Sequence, residues 1–135
     1  MKNISKLKKE LDKWFSLYIR LRDSNEYGMA QCCTCGIVKP YNKGIQCGHF
    51  QSRKHLSTRF DEQNCAAQCI GCNMFKQGEQ FKFGMSIDAK YGSGTAEELQ
   101  FLAHQTVKYT RVDYEEKISY YKSTVNKLKK EKGLT

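Results

Sequence analysis

The chain has 135 residues, and 23 Lys and Arg set against 14 Asp and Glu leave a net charge of +9. One domain spanning 1–135 is expected at this length, and with only 39% apolar residues a staple is expected to stand in for buried area, with seven cysteines present to make it. No run reaches the roughly 18 apolar residues of a membrane span, and the opening Met1-Lys2-Asn3-Ile4-Ser5-Lys6 runs into charge rather than a signal-peptide core, so a soluble cytoplasmic protein without a membrane partner is expected. In that reducing compartment an odd, clustered set of thiols points to metal rather than to disulfides. The positive excess lies in the first two-thirds, with seven basic and three acidic side chains over residues 1–25 and six and two over 32–76. Such a balance suits a polyanion, nucleic acid first, with a merely solvated basic surface as the alternative.

Residues 4–22 space Ile4, Leu7, Leu11, Trp14, Phe15, Tyr18, Ile19 and Arg22 for one face of a helix that starts near Ser5, and the opposite face is mostly Lys. This basic amphipathic segment fills the first 25 residues, either packing by its stripe or lying along a phosphate backbone. From Met29 to Gln68 the composition of Cys, Gly, His and β-compatible residues lacks helical period and reads as knuckle, hairpin and loop. A short helix is expected from about Cys69, a second from Glu79 to Tyr91 stopped by Gly92, and a third from Thr95 to His104. The last, Arg111 to Lys132, sets Tyr114, Ile118, Tyr121, Val125 and Leu128 at alternating steps of four and three. That seam either docks on the rest of the chain or pairs two copies into a homodimer, with the first reading preferred. The fold class expected is α+β: a core over 29–78, with one long helix before it and a helical part over 79–135, ending in a second long helix, behind it.

Cys32-x-x-Cys35-Gly36 and Cys69-x-x-Cys72 are two knuckles with 33 residues between them. Each spacing lets a tight turn aim two sulfurs at one point, and four thiolates close a tetrahedron around Zn²⁺ with no open position, which makes such an ion structural. Cys33, Cys47 and Cys65 are left over as small buried side chains, Cys47 being the competing ligand.

Between and just after the knuckles stand Gly48-His49-Phe50, Arg53, Arg59-Phe60-Asp61, Asn64 and Gln68-Cys69-Ile70-Gly71-Cys72-Asn73, then Lys76. The order of His, Asn and C-x-x-C-Asn behind an upstream C-x-x-C resembles the HNH or ββα-metal nuclease motif in its zinc-clamped form. More narrowly it is similar to the phage NinG/Rap family of recombination endonucleases, through Gly78 to Lys90-Tyr91-Gly92. The resemblance implies a ββα-metal core and hydrolysis of phosphodiesters in branched DNA such as Holliday junctions or D-loops. It also implies roles: His49 as base, Asn64 as the residue closing the loop that holds His49, and Asn73 as ligand to a catalytic Mg²⁺ or Mn²⁺. Gly48 stands where many HNH enzymes carry an aspartate ligand, which leaves Asp61, or its neighbour Glu62, as the alternative source of a second ligand. Arg53, Arg59 and Lys76 suit phosphate, the arginines by bidentate contact and the lysine as a point charge. His55 is left as a DNA contact at most, and His104 has no role. Two rival readings stand beside this one: a zinc-ribbon DNA-binding module without catalysis, and an HNH nuclease acting on ordinary duplex.

Overall fold

The computed structural model describes residues 2–134. Helix α1 (Ile4–Arg22) is followed by the hairpin β1 (Met29–Gln31) and β2 (Val38–Pro40), then β3 (Ile45–His49), the short α2 (Leu56–Arg59), a 3-10 turn (Glu62–Asn64) and β4 (Cys65–Cys69). A π-helical turn (Gly71–Phe75) leads into α3 (Gln80–Tyr91), α4 (Thr95–Ala103) and α5 (Arg111–Glu131). The architecture is mixed α and β, with two small antiparallel sheets, β1–β2 and β3–β4. Among the described residues no helix is long and apolar enough to cross a membrane.

The stripe of α1 buries Leu7, Leu11, Phe15 and Ile19, one residue per turn, against Tyr114, Ile118 and Tyr121 of α5 with Phe60 and Cys65 beneath. The α5 seam is thus used within the chain, on α1. Glu62 fastens the two helices from below, its carboxylate accepting from the hydroxyls of Tyr18 at 2.8 Å and Tyr121 at 2.9 Å. Burial, then the hydrogen bond and charge of Glu62, push the Tyr18 phenol far up; burial and the same carboxylate do so for Tyr121. The cap of α1 is Asn3, whose Oδ1 accepts from Lys6 N at 2.9 Å, rather than Ser5 two residues on.

Strands β3 and β4 pair from Ile45 opposite Cys69 to His49 opposite Cys65. Because successive side chains point to opposite faces, Cys47 and His49 look toward α1 while Gly48 between them looks toward α3. On that second side Phe83, Ile87 and Leu99 form a smaller core with Phe50 and Ala66. A third cluster, around Ala30, Ile45 and Ala67, surrounds the cysteine knuckles. Helix α2 and the 3-10 turn stand inside the region expected to be loop; segments of four and three residues carry no period, and side-chain hydrogen bonds hold them in place.

Candidate metal centre and adjoining cleft

Cys32 follows β1 and Cys35 precedes β2, the turn between them closed by Gly36 N donating to Cys32 O at 3.0 Å and Cys32 N donating to Ile37 O at 2.8 Å. Cys69 ends β4 and Cys72 lies in the π-helical turn. The four sulfurs lie within 4.8 Å of one another, and those of Cys35 and Cys69 are 3.7 Å apart. A zinc tetrahedron with bonds of about 2.3 Å has an edge of about 3.8 Å, whereas a disulfide needs about 2.0 Å. Spacing and donor set therefore fit Zn²⁺, which these four residues can hold. Cys47 stands apart from them, on the face toward α1.

His49 ends β3 half-buried. Its Nε2 lies 2.9 Å from the carbonyl oxygen of Arg59; a carbonyl only accepts, so Nε2 carries the proton and the lone pair is on Nδ1. Burial pushes the imidazole down to about 4, against the Arg59 carbonyl bond and Asp12 and with the help of the Arg53 and Arg59 cations, so the ring is neutral at pH 7.

The loop that returns from His49 to β4 is closed by Asn64, which is fully buried. Its Nδ2 donates to the carbonyls of Gln51 at 3.1 Å and Thr58 at 3.0 Å, its Oδ1 accepts from Gln51 N at 2.8 Å, and its own carbonyl accepts from Phe50 N at 2.8 Å. Asn73 sits in the π-helical turn, a local widening that recurs at functional sites. Its Nδ2 donates to Gln46 Oε1 at 2.7 Å, which fixes the amide and leaves Oδ1 available. His49, Asn73, Cys47 and Arg53 line two adjoining clefts of about 690 Å³ and 700 Å³. The first is walled by α1 through Lys9, Asp12, Lys13 and Arg20, the second by Gln77 and Gln80 at the start of α3.

The other expected site residues are placed differently. Arg59 is turned inward, its Nε and Nη2 on the carboxylate of Asp12 and its Nη1 donating to Arg53 O at 2.9 Å. Asp61 caps the 3-10 turn, its Oδ1 accepting from Gln63 N at 2.9 Å, and lines neither cleft. One of its oxygens is thus engaged by backbone, and it stands outside the clefts on which Asn73 opens. Lys76 caps the π-helical turn, exposed and outside both linings. His55 and His104 pack edge to face, with ring centres 5.3 Å apart, at the junction of α2 and α4.

Gly48 is explained by its surroundings. A Cβ there would lie 2.4 Å from Gln68 Oε1, 2.9 Å from Gln68 Cβ and 3.0 Å from Phe83 Cε2. The space that a side chain at position 48 would take is therefore filled by Gln68, fully buried and held by Nε2 bonds to Gly78 O at 2.8 Å and Thr34 Oγ1 at 3.1 Å. Sequence reasoning missed Asp12, Gln46 and the burial of Gln68. Asp12 stood in a lysine-rich helix with Lys8 four residues before it as a local partner, so no signal pointed to arginines more than forty residues on.

A family model described as bacteriophage lambda NinG protein matches residues 1–131. No curated protein and no solved structure matches the chain.

Proposed function

The chain belongs to the bacteriophage lambda NinG family, and from that premise we propose that it is a metal-dependent DNA endonuclease hydrolysing phosphodiester bonds in branched recombination intermediates, Holliday junctions and D-loops among them. β3, β4 and the turn after Cys69 form its ββα-metal core, with zinc on Cys32, Cys35, Cys69 and Cys72 clamping that turn to the hairpin of β1 and β2. The observation that carries this reading is the opening of His49 and Asn73 on the same two clefts.

His49, neutral and with Nε2 tied to Arg59 O, takes a proton at Nδ1 from the attacking water as its oxygen bonds phosphorus and the bond to the leaving oxygen breaks. Asn73 Oδ1 is the protein ligand for Mg²⁺ or Mn²⁺, hard ions that keep most of their waters. When bound, that ion supplies positive charge to the reacting phosphate. Lys9, Lys13, Arg20 and Arg53 along the first cleft hold the backbone. Arg59 serves as a brace rather than a phosphate contact, and exposed Lys76 as an outlying one.

A DNA-binding module without chemistry is the second reading. It draws on one observation: among the described residues the carboxylate in the cleft linings is that of Asp12, and it is engaged by Arg53 and Arg59. One experiment separates them: a labelled four-way junction is incubated with protein and Mg²⁺ or Mn²⁺ beside His49→Ala. Metal-dependent nicking lost in the variant with binding kept supports the nuclease. Binding with no cleavage in either metal supports the module, and equal cutting of linear duplex and junction removes the branched preference.

A further inference from the structure

A second group of soft donors lies at the other end of the β3–β4 hairpin from the four-cysteine cluster. Cys47 Sγ, a ring nitrogen of His49 and Cys65 Sγ all lie within 4.8 Å of one another. Pairing accounts for this: Cys65 is directly opposite His49, and Cys47, two residues before it, shares its face. Cys65 and Cys69 are four residues apart on one strand, about 13 Å at 3.3 Å per residue, so the two groups are separate. Cys47 and His49 are half-buried on the cleft wall and Cys65 is buried behind them, which gives an ion a path in from the cleft.

We propose that Cys47, His49 and Cys65 form a second site for a thiophilic divalent cation such as Zn²⁺, and that an ion held there silences the cleft by occupying His49. The silencing half rests on the nuclease reading above; the binding half does not. Two thiolates and one imidazole select soft and borderline ions over Mg²⁺ or Mn²⁺, so the site does not compete for the ion of Asn73. Three protein ligands leave the fourth position to water. Closing to tetrahedral edges of about 3.6–3.8 Å takes a contraction of at most about 1.2 Å from the 4.8 Å bound, within reach of side-chain rotation. Either ring nitrogen gives the same outcome. An ion on Nδ1 removes the lone pair that accepts the proton, and an ion on Nε2 displaces the bond to Arg59 O that sets the tautomer.

The test starts from protein purified with one zinc per chain and kept reduced with a phosphine. It is titrated with Co²⁺, followed by thiolate-to-cobalt absorption and total metal by elemental analysis. One further equivalent is expected in the wild type and none in Cys47→Ala, with Cys65→Ala as the second variant should either lose its fold. Cleavage of a junction in Mg²⁺ is then measured against added Zn²⁺, and the inhibiting concentration rises by about tenfold or more in Cys47→Ala. Saturation of the wild type without a further equivalent, or retention of that equivalent in both variants, overturns the site. Equal inhibition of wild type and Cys47→Ala overturns the action through His49. A further equivalent lost in the variants, in a protein that cleaves nothing in any metal, supports the cation site and overturns the nuclease reading instead.

Discussion

Asp12 of α1 grips Arg59 side-on, accepting from its Nε at 3.0 Å and from its Nη2 as well, and the carbonyl of that same Arg59 receives the Nε2 proton of His49 at 2.9 Å. A helix in the first quarter of the chain thus sets the tilt of a ring at the end of β3. Both side chains of the ion pair are largely shielded, 14% and 18% exposed, so removing one partner leaves a charge without its compensation. Asp12→Asn is expected to cost about 1–3 kcal/mol by chemical denaturation. Junction cleavage is expected to fall by about tenfold to a hundredfold through misplacement of His49. Unchanged cleavage in a folded, zinc-replete variant would refute the coupling.

Gly48→Ala puts a methyl group 2.4 Å from the Gln68 amide oxygen. Gln68 is anchored at two points and cannot swing aside, so the strand pair must move. A loss of about 1–3 kcal/mol is expected, read as a lower denaturation midpoint. Gly48→Asp is expected to be worse because it also buries a charge.

Asn64→Ala strips the loop of its donor to Gln51 O and Thr58 O and its acceptor for Gln51 N, at a cost of about 2–4 kcal/mol. Asn64→Asp keeps the acceptor but turns the donor into a buried carboxylate facing two carbonyls. It should therefore be no more stable than Asn64→Ala, and the order of the two melting temperatures decides the point.

Cys69→Ser is expected to retain no zinc by elemental analysis and to lose much of the thermal stability of the zinc-loaded wild type, because an ion on the four thiolates would clamp the hairpin to the turn after β4. Chelation of the wild type at neutral pH is expected to reproduce the loss. Helical circular dichroism should persist in part, since α1 and α5 pack on each other away from the cluster.

At the start of α5, Thr110 and Asp113 exchange hydrogen bonds, Thr110 Oγ1 accepting from Asp113 N at 3.1 Å and Asp113 Oδ2 from Thr110 N at 2.8 Å. The backbone hydrogen bond from Thr110 and that from its side chain hold the Asp113 carboxyl below the ordinary range. A carboxyl with a depressed folded value adds stability that is present above its unfolded pKa and lost as pH falls through the folded one. The difference in melting temperature between wild type and Asp113→Asn should accordingly shrink toward zero as the medium is acidified through the carboxylate range. A gap that widens on acidification would contradict this.

Much of this was legible in the sequence where one physical period governs a long segment. The stripe of 4–22 and the seam from Tyr114 to Val125 each announced a helix, because burying one face needs a residue every three or four positions. Gly92, with φ at +116°, ends α3 where expected. The knuckles were equally plain, since a tetrahedron fixes its own spacing. What escaped was set by tertiary contacts. Asn3 outcompetes Ser5 as a cap through a single hydrogen bond, α2 exists because the loop around it is pinned by Asn64, and the Asp12–Arg59 grip joins positions that no local pattern relates. Asp61 illustrates the reverse: a carboxylate in the right stretch of sequence caps the 3-10 turn through a backbone N–H two residues away and lies outside both clefts.

The packing of α1 on α5 also bears on synthesis. Helix α1 leaves the ribosome first, but the apolar cluster it joins is complete only once Tyr114, Ile118 and Tyr121 have been made, and with it the firm seat from which Asp12 reaches Arg59. A nascent chain therefore carries both knuckles and the imidazole before the closing helix that completes the seat of α1 has been made.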